Sequence, residues 1–222
     1  MKTSQNKLIS QVIAFIWLPH VVGIIGISLG FQEWFVQKTV LNLIASFGFF
    51  SLYFPIQNRR RWILFSLFFL GGMTAEWLGV HYGLFFGDYS YGANLGPKID
   101  GIPLIIGVFW AVLTFITARI AKAILPRKTA FPFIAAFGAL LMVALDLLLE
   151  LLAPHFDYWT FKPVAPPIEN YISWWAFGFL FQLILLGVEK DEFADDQDSL
   201  RVSAHIYLAQ VVFFGTLALF SN

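Results

Sequence analysis

WILFSLFFLGGMTAEWLGVHYGLFF, residues 62–86, decides the fold. A helix needs roughly 20 mostly apolar residues to cross the hydrocarbon core of a bilayer. This stretch exceeds that length, and Glu76 is its only Asp, Glu, Lys or Arg. Similar runs lie on both sides of it, at 8–30 and 38–56 and then at 102–125, 131–152, 171–188 and 203–220. The chain is therefore expected to be all-α, a polytopic membrane bundle of about seven transmembrane helices. No repeat or low-complexity segment divides it, so residues 1–222 are expected to form a single transmembrane domain. The first run lacks a short apolar stretch ending in an A-x-A-type cleavage site, so it is read as a retained helix.

Composition agrees. Hydrophobic residues make up 59% of the chain and charged residues 13%, too little charge to cover a soluble surface of this size. The formal charges cancel, which gives no reason to expect a nucleic-acid partner. Cysteine is absent, which removes thiolate ligands, disulfides and cysteine nucleophiles.

Orientation follows from the basic residues. If the N-terminus is cytoplasmic, that side holds Lys2, Lys7, Arg59, Arg60, Arg61, Arg119, Lys122, Arg127, Lys128, Lys190 and Arg201. The other side holds only Lys38, Lys98 and Lys162. The excess of Lys and Arg on one side predicts a cytoplasmic N-terminus. The acidic stretch 189–198 is read as a solvated cytoplasmic loop. Small-residue spacings at Gly26/Gly30 and Gly79/Gly83/Gly87 are read as places where helices pack closely.

The acids inside the membrane are the first functional candidates. Ionisable groups there are costly, and they face a cavity or a partner when they occur. At ~1.5 Å per residue, Glu76 lies roughly 21 Å along the third span and Asp146 roughly 22 Å along the fifth, which runs in the same direction. Both fall in the outer half, at a depth that lets them share one pocket. Glu150 follows Asp146 at i+4, on the same helix face, although it is close enough to the end of the span to be interfacial. A desolvated carboxylic acid beside a second carboxylate is a proton donor next to a charged partner. The simpler reading is that these acids only hydrogen-bond across helices.

Two outer loops adjoin those acids. Residues 87–103 and 153–171 are rich in Tyr, Trp, Gly and Pro, and loops this long without structure of their own are often functional. Asp88, Tyr89, Tyr91, Asp157, Trp159 and Asn170 fall where a lid over an outer-half pocket would lie. His20 follows Pro19 in mid-membrane, either filling a helix break or facing a pocket. The four histidines lack H-x-x-H, H-x-x-x-H and E-x-x-H spacing, so no metal site is expected.

Several of these segments together resemble a known family. They are Glu76-Trp-Leu-Gly79, Phe86-Gly87-Asp88-Tyr89-Ser90-Tyr91, Gly96-Pro97, Gly101-Ile102-Pro103 and Trp110, followed by Leu141 to Asp146, Trp159, Pro167-Ile168-Glu169-Asn170-Tyr171 and Trp174. The sequence is similar here to the carotenoid biosynthesis membrane proteins that include the CruF-type carotenoid 1',2'-hydratases. The resemblance covers roughly residues 70–180.

It implies hydration of the terminal C1',2' double bond of a ψ-end carotenoid, a lycopene- or γ-carotene-like substrate that stays in the membrane lipid. That chemistry needs an acid able to protonate an alkene, a wall that tolerates a tertiary cation, and one admitted water with a base. Glu76 and Asp146 are the expected acid/base pair. Trp77, Tyr89, Tyr91 and Trp159 are the aromatic candidates for the cation, with Asn170 and His20 as further substrate-binding residues. No cofactor is required. Other carotenoid enzymes are the expected protein partners, and a bacterial inner membrane is the expected location. An end-group cyclase or prenyl-transfer partner is the rival enzyme, and a proton-coupled transporter the rival outside enzymes, since buried carboxylates also serve as relays.

Overall fold

With no water in the bilayer core, backbone groups must be satisfied within their own segment, so long apolar runs become helices. The computed structural model describes residues 2–53, 58–163, 165–189 and 197–220. Seven stretches in it are helical, long and apolar enough to cross a membrane. The first is α1 (Lys2–Ser28), which continues through Pro19. The second span, Gln32–Leu52, is made by a short α2 (Gln32–Val36) and α3 (Thr39–Tyr53). Then come α4 (Arg59–Tyr82), β1 (Asp88–Tyr91), β2 (Lys98–Ile99), β3 (Ile102–Pro103), α5 (Leu104–Ile124) and α6 (Phe131–Glu150). A last strand, β4 (Trp159–Lys162), precedes α7 (Ile168–Val188) and α8 (Gln197–Phe220).

The observed spans differ from the apolar runs mainly at their ends. Hydropathy marks only the part of a helix that lipid surrounds, and polar turns extend it. α8 starts at Gln197, so a turn containing Asp198, Ser199 and Arg201 precedes its apolar run. α4 starts at Arg59, where the Asn58 side chain caps it by accepting the Arg60 N–H at 3.0 Å. The end of the expected 38–56 run, Lys190 and most of the acidic 189–198 stretch lie outside the described residues.

α5 occupies the middle of the bundle and is the most buried of the seven spans. It packs against α3, α4, α6, α7 and α8, and α6 pairs closely with α7. Missing side chains allow some of these approaches. A Cβ on Gly72 would come 2.6 Å from the Trp110 ring, and one on Gly138 would collide with the Gln182 amide. Of the glycines expected to mediate packing, Gly26 admits the ring of Phe35, and Gly79 admits Phe86 and the Tyr89 hydroxyl. Gly83 has a different task. It ends α4 in the left-handed region at φ 65°, with its N–H bonded to the Gly79 carbonyl and open space where a side chain would go.

One end of the bundle is closed by an ion pair between α4 and the end of α7. Arg61 donates from Nε and Nη2 to the buried Glu189 at 3.0 and 2.9 Å. The opposite end is closed by the loops 87–103 and 153–171, for which the sequence predicts no regular elements. They contain paired strands: β1 pairs antiparallel with β4, matching Asp88 to Lys162 and Tyr91 to Trp159. β2 and β3 form a second small ribbon, Lys98 to Pro103 and Ile99 to Ile102. Hydropathy cannot show this pairing, because the two strands of the larger ribbon come from different loops with two transmembrane helices between them.

Candidate functional site

The β1–β4 ribbon builds the roof of the site. Side chains of a strand alternate between faces, so Tyr89 and Tyr91 point the same way and Ser90 points out. The register sets Phe161 opposite Tyr89 and Trp159 opposite Tyr91. The four rings form one aromatic face, with Tyr89 against Phe161 at 5.3 Å and Tyr91 edge-on to Trp159 at 6.2 Å. The ribbon's end is tied down by polar contacts. Asp157 accepts the Ala93 N–H at 2.7 Å, and the Asn94 side chain donates to the Phe156 carbonyl at 2.9 Å.

Beneath the roof lie three carboxylates. Glu76, on α4, receives three donors: Tyr89 Oη–H at 2.5 Å and Tyr91 Oη–H at 2.7 Å on Oε2, and Trp110 Nε1–H at 2.9 Å on Oε1. Trp110 comes from α5, is fully buried and stacks on Trp174 of α7 at 3.9 Å. Asp146 and Glu150, one turn apart on α6, are bridged by Asn170 of α7. Its Nδ2 donates to Asp146 Oδ2 at 3.2 Å and to Glu150 Oε1 at 3.3 Å. Glu150 also accepts Trp159 Nε1–H at 2.8 Å. Burial pushes the Tyr89 and Tyr91 hydroxyls well above the ordinary phenol range, and the charge of Glu76 adds to the shift. Both therefore stay protonated and act as fixed donors.

All three acids line one cavity. Its remaining walls are almost wholly apolar or aromatic, among them Phe86, Ile106, Phe109, Leu149, Phe161 and Trp174. No Lys or Arg is among the described residues that line it. Acids in an apolar, ring-lined chamber without a cation can deliver a proton, and the carboxylates and ring faces can stabilise positive charge on an apolar substrate. The hydroxyls of Tyr158 and Thr39 meet at 2.5 Å in the wall, and burial pushes the Tyr158 hydroxyl up to about 12.

The cavity brings together six of the eight residues expected at a site: Glu76, Asp146, Tyr89, Tyr91, Trp159 and Asn170. The other two lie elsewhere. Trp77 follows Glu76 in sequence, but neighbouring helical residues point about 100° apart. Its indole donates to Asp100 at 2.6 Å and stacks on His81. His20 lines a second cavity, where its Nδ1 bonds the Ile16 carbonyl at 2.7 Å and Asn42 Nδ2 approaches Nε2 at 3.4 Å. Asp88 and Asp157 belong to the ribbon and its tether, outside the cavity walls. Spacing places Glu150 on the face of Asp146 without fixing its depth, and it is a full member of the cluster. The partnership of Trp110 with Glu76 is invisible in sequence, because a Trp inside an apolar run carries no mark of a polar partner.

The family model described as "Carotenoid biosynthesis protein" matches residues 34–222. The bisanhydrobacterioruberin hydratase of Haloarcula japonica is 26% identical over 191 residues. That alignment takes in 83% of this chain, which spans 62% of the relative's length. No solved structure matches. The family match holds the β1–β4 ribbon, all three acids and every ring of the aromatic roof, so the chain belongs to the carotenoid biosynthesis protein family whose CruF-type hydratases its motifs resemble.

Proposed function

We propose that this membrane protein hydrates the terminal C1',2' double bond of a ψ-end carotenoid, with the acid cluster as its active centre. The observation that carries the proposal is the unequal bonding of the three acids. Glu76 accepts from three donors, whereas Asp146 has Asn170 as its one described donor, at 3.2 Å.

In this reading Asp146 is the acid. Its proton passes to C2' of the terminal alkene, the π bond breaks, and a tertiary cation forms at C1'. The ring faces of Tyr89, Tyr91 and Trp159 and the charge held at Glu76 stabilise that cation. One water adds its oxygen to C1' and gives a proton to Glu76, and a proton returns through the cluster to Asp146. Net change is the addition of H2O. Glu150 and Asn170 keep Asp146 oriented. The relative's activity, that of a bisanhydrobacterioruberin hydratase, supports the reaction class. The substrate is taken to be lycopene- or γ-carotene-like, reached from the surrounding lipid, and the setting a bacterial inner membrane.

Expression in a lycopene-accumulating bacterium, with mass analysis of the pigments, tests the reading. The expected result is lycopene carrying one or two added waters, lost in Glu76→Gln and Asp146→Asn variants that still insert. Pigment of altered absorbance but unchanged mass indicates cyclisation and overturns it.

A further inference from the structure

We infer that the second cavity, between α1, α3 and α8, is the berth of the substrate's conjugated polyene, entered sideways from the lipid. The inference rests on the hydration reading above and deepens it.

The two cavities are contiguous. Thr39, Leu43, Tyr158, Gln210 and Phe214 line both. The second is the roomier of the two. A rigid conjugated chain many isoprene units long extends well beyond the chamber that receives its reacting end, so most of it must leave through a wall. Across the shared wall lies the second cavity. That cavity also has a rim on the lipid-facing side, where Leu41 is 63% and Val22 44% exposed. Exposed apolar side chains there meet acyl chains, the medium in which a carotenoid is dissolved.

Several of the polar groups inside are paired with one another or with backbone. His20 bonds Ile16 and faces Asn42, and the Thr39 and Tyr158 hydroxyls bond each other. Lys38 holds its ammonium 5.4 Å over the Trp34 ring. A polyene can lie against Phe35 and Phe213 there without breaking those bonds. His20 would then touch the chain rather than the reacting end.

The test uses the full protein in lipid nanodiscs loaded with lycopene, read by induced circular dichroism in the polyene absorption band. Ala45 lines the berth at its lipid-exposed side, and Leu41 forms its rim; neither touches the acids. Ala45→Trp and Leu41→Trp should each weaken lycopene binding about tenfold or more, the scale of an overpacked site. Ile44→Trp, on the same helix but outside the berth, should bind like the unsubstituted protein and controls for insertion. Undiminished binding in both rim variants, or no induced signal from the unsubstituted protein, overturns the inference. The outcomes separate from those of the hydration reading. Binding without water addition defeats hydration and leaves the berth standing, whereas full-rate hydration by both rim variants defeats the berth and leaves hydration standing.

Discussion

Asn170 is a single side chain shared by two acids. It is 2% exposed, and its Nδ2 spans Asp146 and Glu150. Asn170→Ala leaves Asp146 without that donor, and a buried polar group left unsatisfied costs about 1–3 kcal/mol. Turnover is expected to fall roughly tenfold to a hundredfold on that scale, while KM changes little, because the residue orients an acid and does not hold the polyene. Steady-state water addition in membranes checks the split. Glu76→Gln keeps the shape and removes the charge, and loss of a positioned acid or base costs typically 100-fold or more. Much of this cluster is legible in the amino-acid sequence, because an acid inside an apolar run is conspicuous and i+4 spacing fixes a shared face for Asp146 and Glu150. Trp110 and Trp77 show where legibility stops. Both are tryptophans inside apolar runs, and only the rotation of α4 and α5 decides that Trp110, not the sequence neighbour of Glu76, bonds it.

At the scale of elements, the ribbon and its anchors determine whether the cavity has a roof. Gly92 ends β1's side of the ribbon, where an added Cβ would collide with the Asp157 carboxylate and its carbonyl oxygen. Gly92→Val should therefore unseat Tyr91 and Trp159 together, since the Tyr91–Trp159 register pair lies next to it. Water addition should be lost while the far-UV helical signal stays, because each span's backbone is bonded within its own segment; loss of both signals would show the ribbon to be part of the bundle's stability. A second anchor is pH-sensitive. Trp77 donates to Asp100 beside the β2–β3 ribbon, and that bond, with His81 nearby, holds the exposed Asp100 carboxyl below its ordinary 3.8. A depressed folded value means the stabilisation is complete above the ordinary value and disappears as pH falls through the lower folded one. Acidification through that window should release the indole, seen as a change in Trp77 emission that Asp100→Asn removes. The strands carry a period of two, Tyr89 with Tyr91 and Trp159 with Phe161, too short to mark them out from the surrounding loop. What sequence cannot supply is the partner, since pairing across two intervening helices is a long-range choice.

For the whole molecule, the spans are legible because bilayer thickness imposes their length, and chain direction alternates from one to the next. Which end is cytoplasmic is a separate matter, decided by charge. Arg59 to Arg61, Lys122, Arg127 and Lys128 lie at the end of the bundle opposite the ribbon, while Lys98 and Lys162 lie on the ribbons themselves. The positive-inside bias thus predicts that the acid cavity opens toward the outer leaflet and that the ribbon faces outward. The absence of cysteine makes this measurable without background. Single substitutions Lys98→Cys and Lys128→Cys fall on exposed positions at opposite ends. A membrane-impermeant maleimide applied to intact cells should label Lys98→Cys at once and Lys128→Cys only after the membrane is opened. The reverse pattern would turn the bundle over and put the ribbon and acids in the cytoplasmic half. Water would then reach the site from the opposite side, while the proposed lateral route for a lipid-dissolved polyene would be unchanged, because the exposed Leu41 and Val22 at the berth's rim meet the hydrocarbon in either orientation.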